Sequence, residues 1–223
     1  MIFNKKYSII LCVILFCRLS SYSQEIKTYA YAQRDTCTLF MDVYHPMQQR
    51  EDKTAIVFVF GGGFRMGERS APYNLDFFKQ LNEKGFVVIT IDYRLALKDA
   101  NRVDALHNNP LAQAIDIAVE DLFSAVSYII SHADELNVNS SHLVLCGSSA
   151  GAITVLQADY ELANRRKSYV SVPEGFRFGG VISFAGAIFS HHGKLKYTRQ
   201  APAPTFLLHG KKVGAGACRV YFF

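Results

Sequence analysis

Cysteine is scarce in this 223-residue chain, with five in all, and two of them, Cys12 and Cys17, fall in the first 23 residues. The remaining three, Cys37, Cys146 and Cys218, are an odd number and give no disulfide framework. No apolar run is long enough to cross a bilayer as a mature helix; the longest near the start, Tyr7 to Cys17, is too short. Basic residues form no stripe that would track a phosphate backbone. The formal charge of +5 owes three of its positives to Lys5, Lys6 and Arg18, so residues 24–223 carry only +2. Nucleic-acid binding is therefore not indicated. The longest basic run, Arg165-Arg166-Lys167, reads as a solvated helix end. No internal repeat and no low-complexity segment interrupts the chain.

What is present fits a sizeable core, since half of the residues are hydrophobic. The first 23 residues read as a secretory signal peptide. Lys5-Lys6 is its charged start, Tyr7 to Cys17 its apolar centre, and Ser21-Tyr22-Ser23 supplies small residues where a signal peptidase reads. Cleavage is expected between Ser23 and Gln24, giving a secreted or periplasmic protein with no membrane attachment. Bulky Phe16 argues against lipid attachment at Cys17. Residues 24–223 read as one domain.

Apolar runs alternate with helical patterns, the signature of a mostly parallel α/β sheet with helices on both faces. Strands are expected at 36–44, 55–60, 86–93, 142–146, 181–185 and 205–208, several of them unbroken apolar runs suited to burial on both faces. Helices are expected at 73–84, with Gly85 as its stop, and at 111–135 behind Pro110. Asp116, Glu120 and Asp121 on the second helix read as a solvated or salt-bridged face. Residues 95–109 read as a polar loop bordering a pocket.

Two glycine clusters carry the chemistry. In "HLVLCGSSAGAITV" a strand meets Gly147-Ser148-Ser149-Ala150-Gly151 and then a helical pattern. A serine on such a tight, strained turn is lifted above the sheet, and the flanking glycines make room for it. A glycine-rich turn without chemistry is the plainer reading of that stretch alone. In "VFVFGGGFRMG", Gly61-Gly62-Gly63 follows a buried strand. Glycines there let backbone N–H groups approach a ligand, as acyl transfer requires for its oxyanion. A phosphate loop is excluded because no Gly-Lys-Ser/Thr follows.

With "FGGGF", "VVITIDYRL" and "GSSAG", the chain resembles the α/β-hydrolase superfamily from about residue 36 to 210. Within it, the chain looks like the esterase and lipase branch that includes carboxylesterases and acetyl-xylan and feruloyl esterases. The resemblance implies Ser149 as nucleophile and the N–H groups of Gly62, Gly63 and Ala150 as oxyanion hole. It also implies a small-molecule or carbohydrate ester as substrate and no cofactor. The branch usually has His where this chain has Phe60, a position that supports the glycine loop. In this superfamily the order is Ser, then Asp or Glu, then His. No aspartate follows Asp159, the only later glutamates are Glu161 and Glu174, and neither acid nor base can be assigned. His209 matches a strand end before the usual acid loop. His191 and His192 read as a surface or pocket rim, without the further ligands a metal would need.

The atypical tail 211–223 and the composition break after Gly210 suggest a hydrolase truncated at its C-terminus, lacking the last strand and helix. The strand at 205–208 would then be an unpaired sheet edge, and the chain would fold poorly and turn over esters weakly. A ligand-binding protein without the triad, and a serine peptidase of the same fold, are the alternatives. Oligomeric state cannot be read from the sequence.

Overall fold

The computed structural model describes residues 26–99, 109–165, 171–189, 195–212 and 215–222, and the side chains of those up to residue 210. The expected signal peptide, His191, His192, Arg166, Lys167 and most of the 95–109 loop lie outside the described residues.

Eight strands form one sheet in the order β1-β2-β4-β3-β5-β6-β7-β8. They span Ile26–Gln33 (β1), Thr38–Tyr44 (β2), Ala55–Val59 (β3), Val87–Ile91 (β4), Leu143–Ser148 (β5), Gly180–Phe184 (β6), Thr205–Lys212 (β7) and Ala215–Phe222 (β8). The strands β4, β3, β5, β6 and β7 run parallel, and β1, β2 and β8 join antiparallel at the flanks. The apolar runs of β3 and β4 are wholly buried, as a parallel centre requires.

Three helices cross between parallel strands: α1 (Pro72–Glu83), α2 (Pro110–Ser131) and α3 (Ala150–Asn164). Parallel crossovers are right-handed, so α1, leading from β3 one way along the sheet, lies on the opposite face from α3, leading the other way. The rings of Phe77 and Phe78 on α1 meet Phe58 of β3 at 6.1 and 5.0 Å. Gly85 ends α1 with φ +84 and donates to the Asn82 carbonyl at 2.8 Å, the left-handed stop expected there. Pro110 opens α2 behind a left-handed Asn109.

Asp121 is fully buried on α2 and answers the question of that acidic face. Its carboxylate accepts from Arg34 Nε at 3.1 Å, from the Arg94 backbone N–H at 2.9 Å and from the Arg94 guanidinium at 2.8 Å. Glu120 adds a 2.6 Å contact to Arg94. Those hydrogen bonds hold the Arg94 guanidinium well above its ordinary pKa. The cluster ties β1 and the end of β4 to α2, so the salt-bridged reading holds.

The expected unpaired edge at 205–208 is corrected. Residues 215–222 fold back on β7 as an antiparallel strand, with Leu208 opposite Val220 and His209 opposite Arg219. A β-rich "ACRVYF" beside a row of open backbone groups has a ladder to complete. This partner is a hairpin strand, not a parallel strand with its crossover helix. Neither β1 nor β8 was expected from the sequence.

Behind Ser149, α3 is buried along almost its whole length, polar residues included. Asp159 is one of these, 4% exposed, and it accepts from the Ala203 N–H at 3.1 Å. Burial pushes its carboxyl up to about 6, against the opposing pull of the Ala203 N–H and the Arg177 charge. A raised acid pKa means the folded chain holds the proton more tightly than the unfolded one. Its contribution to stability is therefore greatest at low pH and declines from about pH 4 to about pH 6. Asp159→Asn keeps an acceptor for Ala203 and removes the buried charge. Urea midpoints are expected to show the variant more stable by on the order of 2 kcal/mol at pH 7–8, with the gain shrinking toward pH 4. A pH-independent difference would contradict this assignment.

Candidate active site

The strand order reverses at β3: β4 lies on one side and β5 on the other. In open α/β sheets such a switch point leaves a crevice outside the carboxyl ends of the two strands. Both glycine clusters sit there. Gly61-Gly62-Gly63 follows β3, Ser149 follows β5, and Val59 stands opposite Gly147 in the parallel register.

Ser149 occupies the turn between β5 and α3 with φ +51 and ψ −115, a left-handed region that costs a non-glycine residue strain. Its N–H donates to the Phe184 carbonyl at 2.8 Å and its carbonyl accepts from Ile153 N at 2.9 Å. These bonds hold the backbone while the side chain is exposed. The motif glycines are there for space. A Cβ on Gly147 would lie 2.4 Å from the Gly151 carbonyl oxygen, and one on Gly151 would lie 2.0 Å from the Val59 carbonyl oxygen. The start of α3 can approach the ends of β3 and β5 only without those carbons.

The second cluster curls toward Ser149. A Cβ on Gly61 would stand 3.1 Å from Ser149 Cβ. Gly62 and Gly63 have φ +134 and +64, and the Gly62 carbonyl accepts from the N–H groups of Arg65 and Met66 at 3.1 and 3.2 Å. Ala150 is the first residue of α3, where N–H groups have no intrahelical partner. Gly62, Gly63 and Ala150 thus lie on two adjoining turns at one crevice.

Phe60 shows how the loop is supported without a histidine. It is 2% exposed, its ring stacks on Tyr93 at 4.5 Å, and the Tyr93 hydroxyl donates to the Phe60 carbonyl at 3.0 Å. Farther along, Leu97 N–H donates to the Phe64 carbonyl at 2.9 Å, and the Arg65 guanidinium donates to the Leu97 carbonyl at 2.9 Å. Arg69 pairs with Asp42 at 2.9 Å and Asp92 at 2.7 Å. Sequence reasoning missed these supports. The Tyr93-Arg94 pair within "VVITIDYRL" was the one local signal of an anchoring segment.

The remaining candidates divide clearly. Cys146 is buried in β5, and burial pushes its thiol up to about 12. Asp159 and Glu161 are buried along α3, and Glu174 lies in the loop before β6. His209 is exposed on β7, with Nδ1 3.0 Å from the Gly210 carbonyl oxygen. Among the described residues, no side chain hydrogen-bonds Ser149 Oγ, and no group of three or more His, Cys, Asp or Glu could hold a metal ion.

The family model described as BD-FAE matches residues 41–188, a span that contains both glycine clusters. The chain is similar to a probable isoprenylcysteine alpha-carbonyl methylesterase of Arabidopsis thaliana, 30% identical over 112 residues, which cover 50% of this chain and 20% of that protein. It is also similar to fumonisin B1 esterase of Sphingopyxis macrogoltabida, 26% identical over 116 residues, 51% of this chain and 21% of that one. The chain spans about a fifth of the length of these curated relatives. Among solved structures, Thermogutta terrifontis esterase 2 phosphoramylated by tabun superposes with a TM-score of 0.59 at 21% identity, covering 82% of this chain and 70% of that one. Its apo form gives a TM-score of 0.56 at 21% identity, covering 85% and 72%. At such identity the likeness establishes the fold.

Proposed function

The chain belongs to the BD-FAE family, an α/β-hydrolase esterase family, and from that premise we propose that it is a serine carboxylic-ester hydrolase acting through Ser149. The observation that carries this reading is one exposed, left-handed serine at the switch point of the sheet, with a glycine loop close beside it. Ser149 Oγ attacks the ester carbonyl and its proton passes to a base. The carbonyl oxygen, now negative, accepts from the N–H groups of Gly62, Gly63 and Ala150. The alcohol leaves with a proton, and water then hydrolyses the acyl-enzyme. Catalytic hydrogen bonds are often long before substrate binds, so an unbonded Oγ does not count against the serine. The substrate is a small-molecule or carbohydrate ester, and the protein works after export with residues 1–23 removed.

A ligand-binding protein that kept the crevice without turnover is the second reading. A serine peptidase of the same fold is the third. Incubation with diethyl 4-nitrophenyl phosphate, followed by peptide mass spectrometry, tests the proposal beside ester and peptide turnover. The expected result is one diethylphosphoryl group on Ser149 and hydrolysis of acetate esters over peptides. An unlabelled Ser149 with no ester turnover supports the binding protein, and preference for peptides supports the peptidase.

A further inference from the structure

Beside the glycine loop opens a cleft of about 410 Å³ whose walls include Gly61, Gly62, Met66, Glu68, Ala71 and Tyr73. We propose that this cleft receives an uncharged, apolar arm of the ester, and that Glu68 turns away substrates whose arm ends in an anion. The proposal rests on the ester-hydrolase reading for the word substrate, and on the cleft itself for its selectivity.

Ser149 is not in the wall of this cleft, but Gly61 adjoins both: it lines the cleft, and a Cβ built on it would stand 3.1 Å from Ser149 Cβ. In the proposal, a group held there belongs to the acyl or the alcohol side of an ester whose carbonyl carbon lies at Ser149. Two large apolar side chains stand open at the cleft: Met66 is 69% exposed and Tyr73 is 74% exposed. Both gain from covering by an apolar ligand. Glu68 is the ionisable acid of the lining and is exposed. The neighbouring Arg69 does not cancel its charge, because that guanidinium is spent on two carboxylates, Asp42 and Asp92. Arg65 keeps its charge but is not part of the cleft wall; its guanidinium reaches the Leu97 carbonyl. The sign left over in the cleft wall is negative.

Hexanamide and hexanoate share a chain length and differ in charge, so they test the sign directly. Their affinities are to be read from backbone amide shifts of Gly61, Gly62 and Gly67 in the 15N-labelled full chain. Like charges a few ångströms apart in a solvated cleft weaken binding by about three- to ten-fold. Hexanamide is therefore expected to bind about three-fold tighter than hexanoate or better. Glu68→Gln should bring hexanoate level with the amide, and Met66→Ala with Tyr73→Ala should weaken hexanamide about five-fold or more. Hexanoate binding as tightly as the amide, a gap unchanged in Glu68→Gln, or no hexanamide shifts at these glycines would each overturn the proposal. Ester turnover and phosphorylation of Ser149 are measured on the same samples. Their loss with the ligand ranking intact would sink the hydrolase reading alone.

Discussion

Ser149→Ala is expected to lower acetate-ester hydrolysis by about 10³-fold or more and to abolish phosphoryl labelling, since covalent catalysis loses its only attacking atom. Folding should be unaffected. The hydroxyl makes no described hydrogen bond and the side chain is exposed, so urea midpoints of variant and parent should agree within about 0.5 kcal/mol. Cys146 provides the contrast. It lies three residues earlier, but with its thiol pushed up to about 12, only about one molecule in 10⁵ is thiolate at pH 7. Cys146→Ala is expected to keep hydrolysis within a few-fold of the parent. A loss in Cys146→Ala matching that of Ser149→Ala would overturn the assignment of Cys146 as a packing residue.

The largest loss of stability is expected from Asp121→Ala. The carboxylate is fully buried and serves two guanidiniums and one backbone N–H, while Arg34 and Arg94 keep side-chain exposures of 22% and 26%. Removing the acid leaves the Arg94 N–H without its acceptor and two half-buried cations that keep only Glu120 and Ser124 as described side-chain partners there. A fully buried pair broken from one side costs about 3–5 kcal/mol, and the partial exposure of both arginines places this case at about 3. For a chain of this size that corresponds to a fall in Tm of on the order of 10 °C. Glu120→Ala, which removes only the exposed partner of Arg94, should cost about 0.5–1 kcal/mol. Chemical denaturation of the two variants checks the order. A loss under 1 kcal/mol for Asp121→Ala would show that the cluster does not hold α2 to the sheet.

How much of the site was legible follows from the range over which each feature acts. The turn between β5 and α3 depends on residues within a few positions of Ser149, so "GSSAG" between a strand and a helix carried it. The same holds for "FGGGF", where glycines were read as room for backbone approach. Phe60 differs. A missing histidine was visible in the sequence, but its replacement by a ring stacked on Tyr93 joins positions on different strands. Arg69 between Asp42 and Asp92 is likewise long-range, and so are Arg34 and Arg94 around Asp121.

The sequence by itself determined the parallel α/β pattern, because unbroken apolar runs and helical periodicity are local consequences of two-sided and one-sided burial. It also determined which backbone turns had to be glycine. Tertiary structure alone decided three further things. It set the strand order that reverses at β3 and so brings Gly62 and Ser149 to one crevice. It paired β7 with β8, where strand propensity without a partner strand had no direction to express. And it left Met66, Glu68 and Tyr73 around one cleft, since the loop after β3 and the first turn of α1 face whatever the packed sheet leaves open.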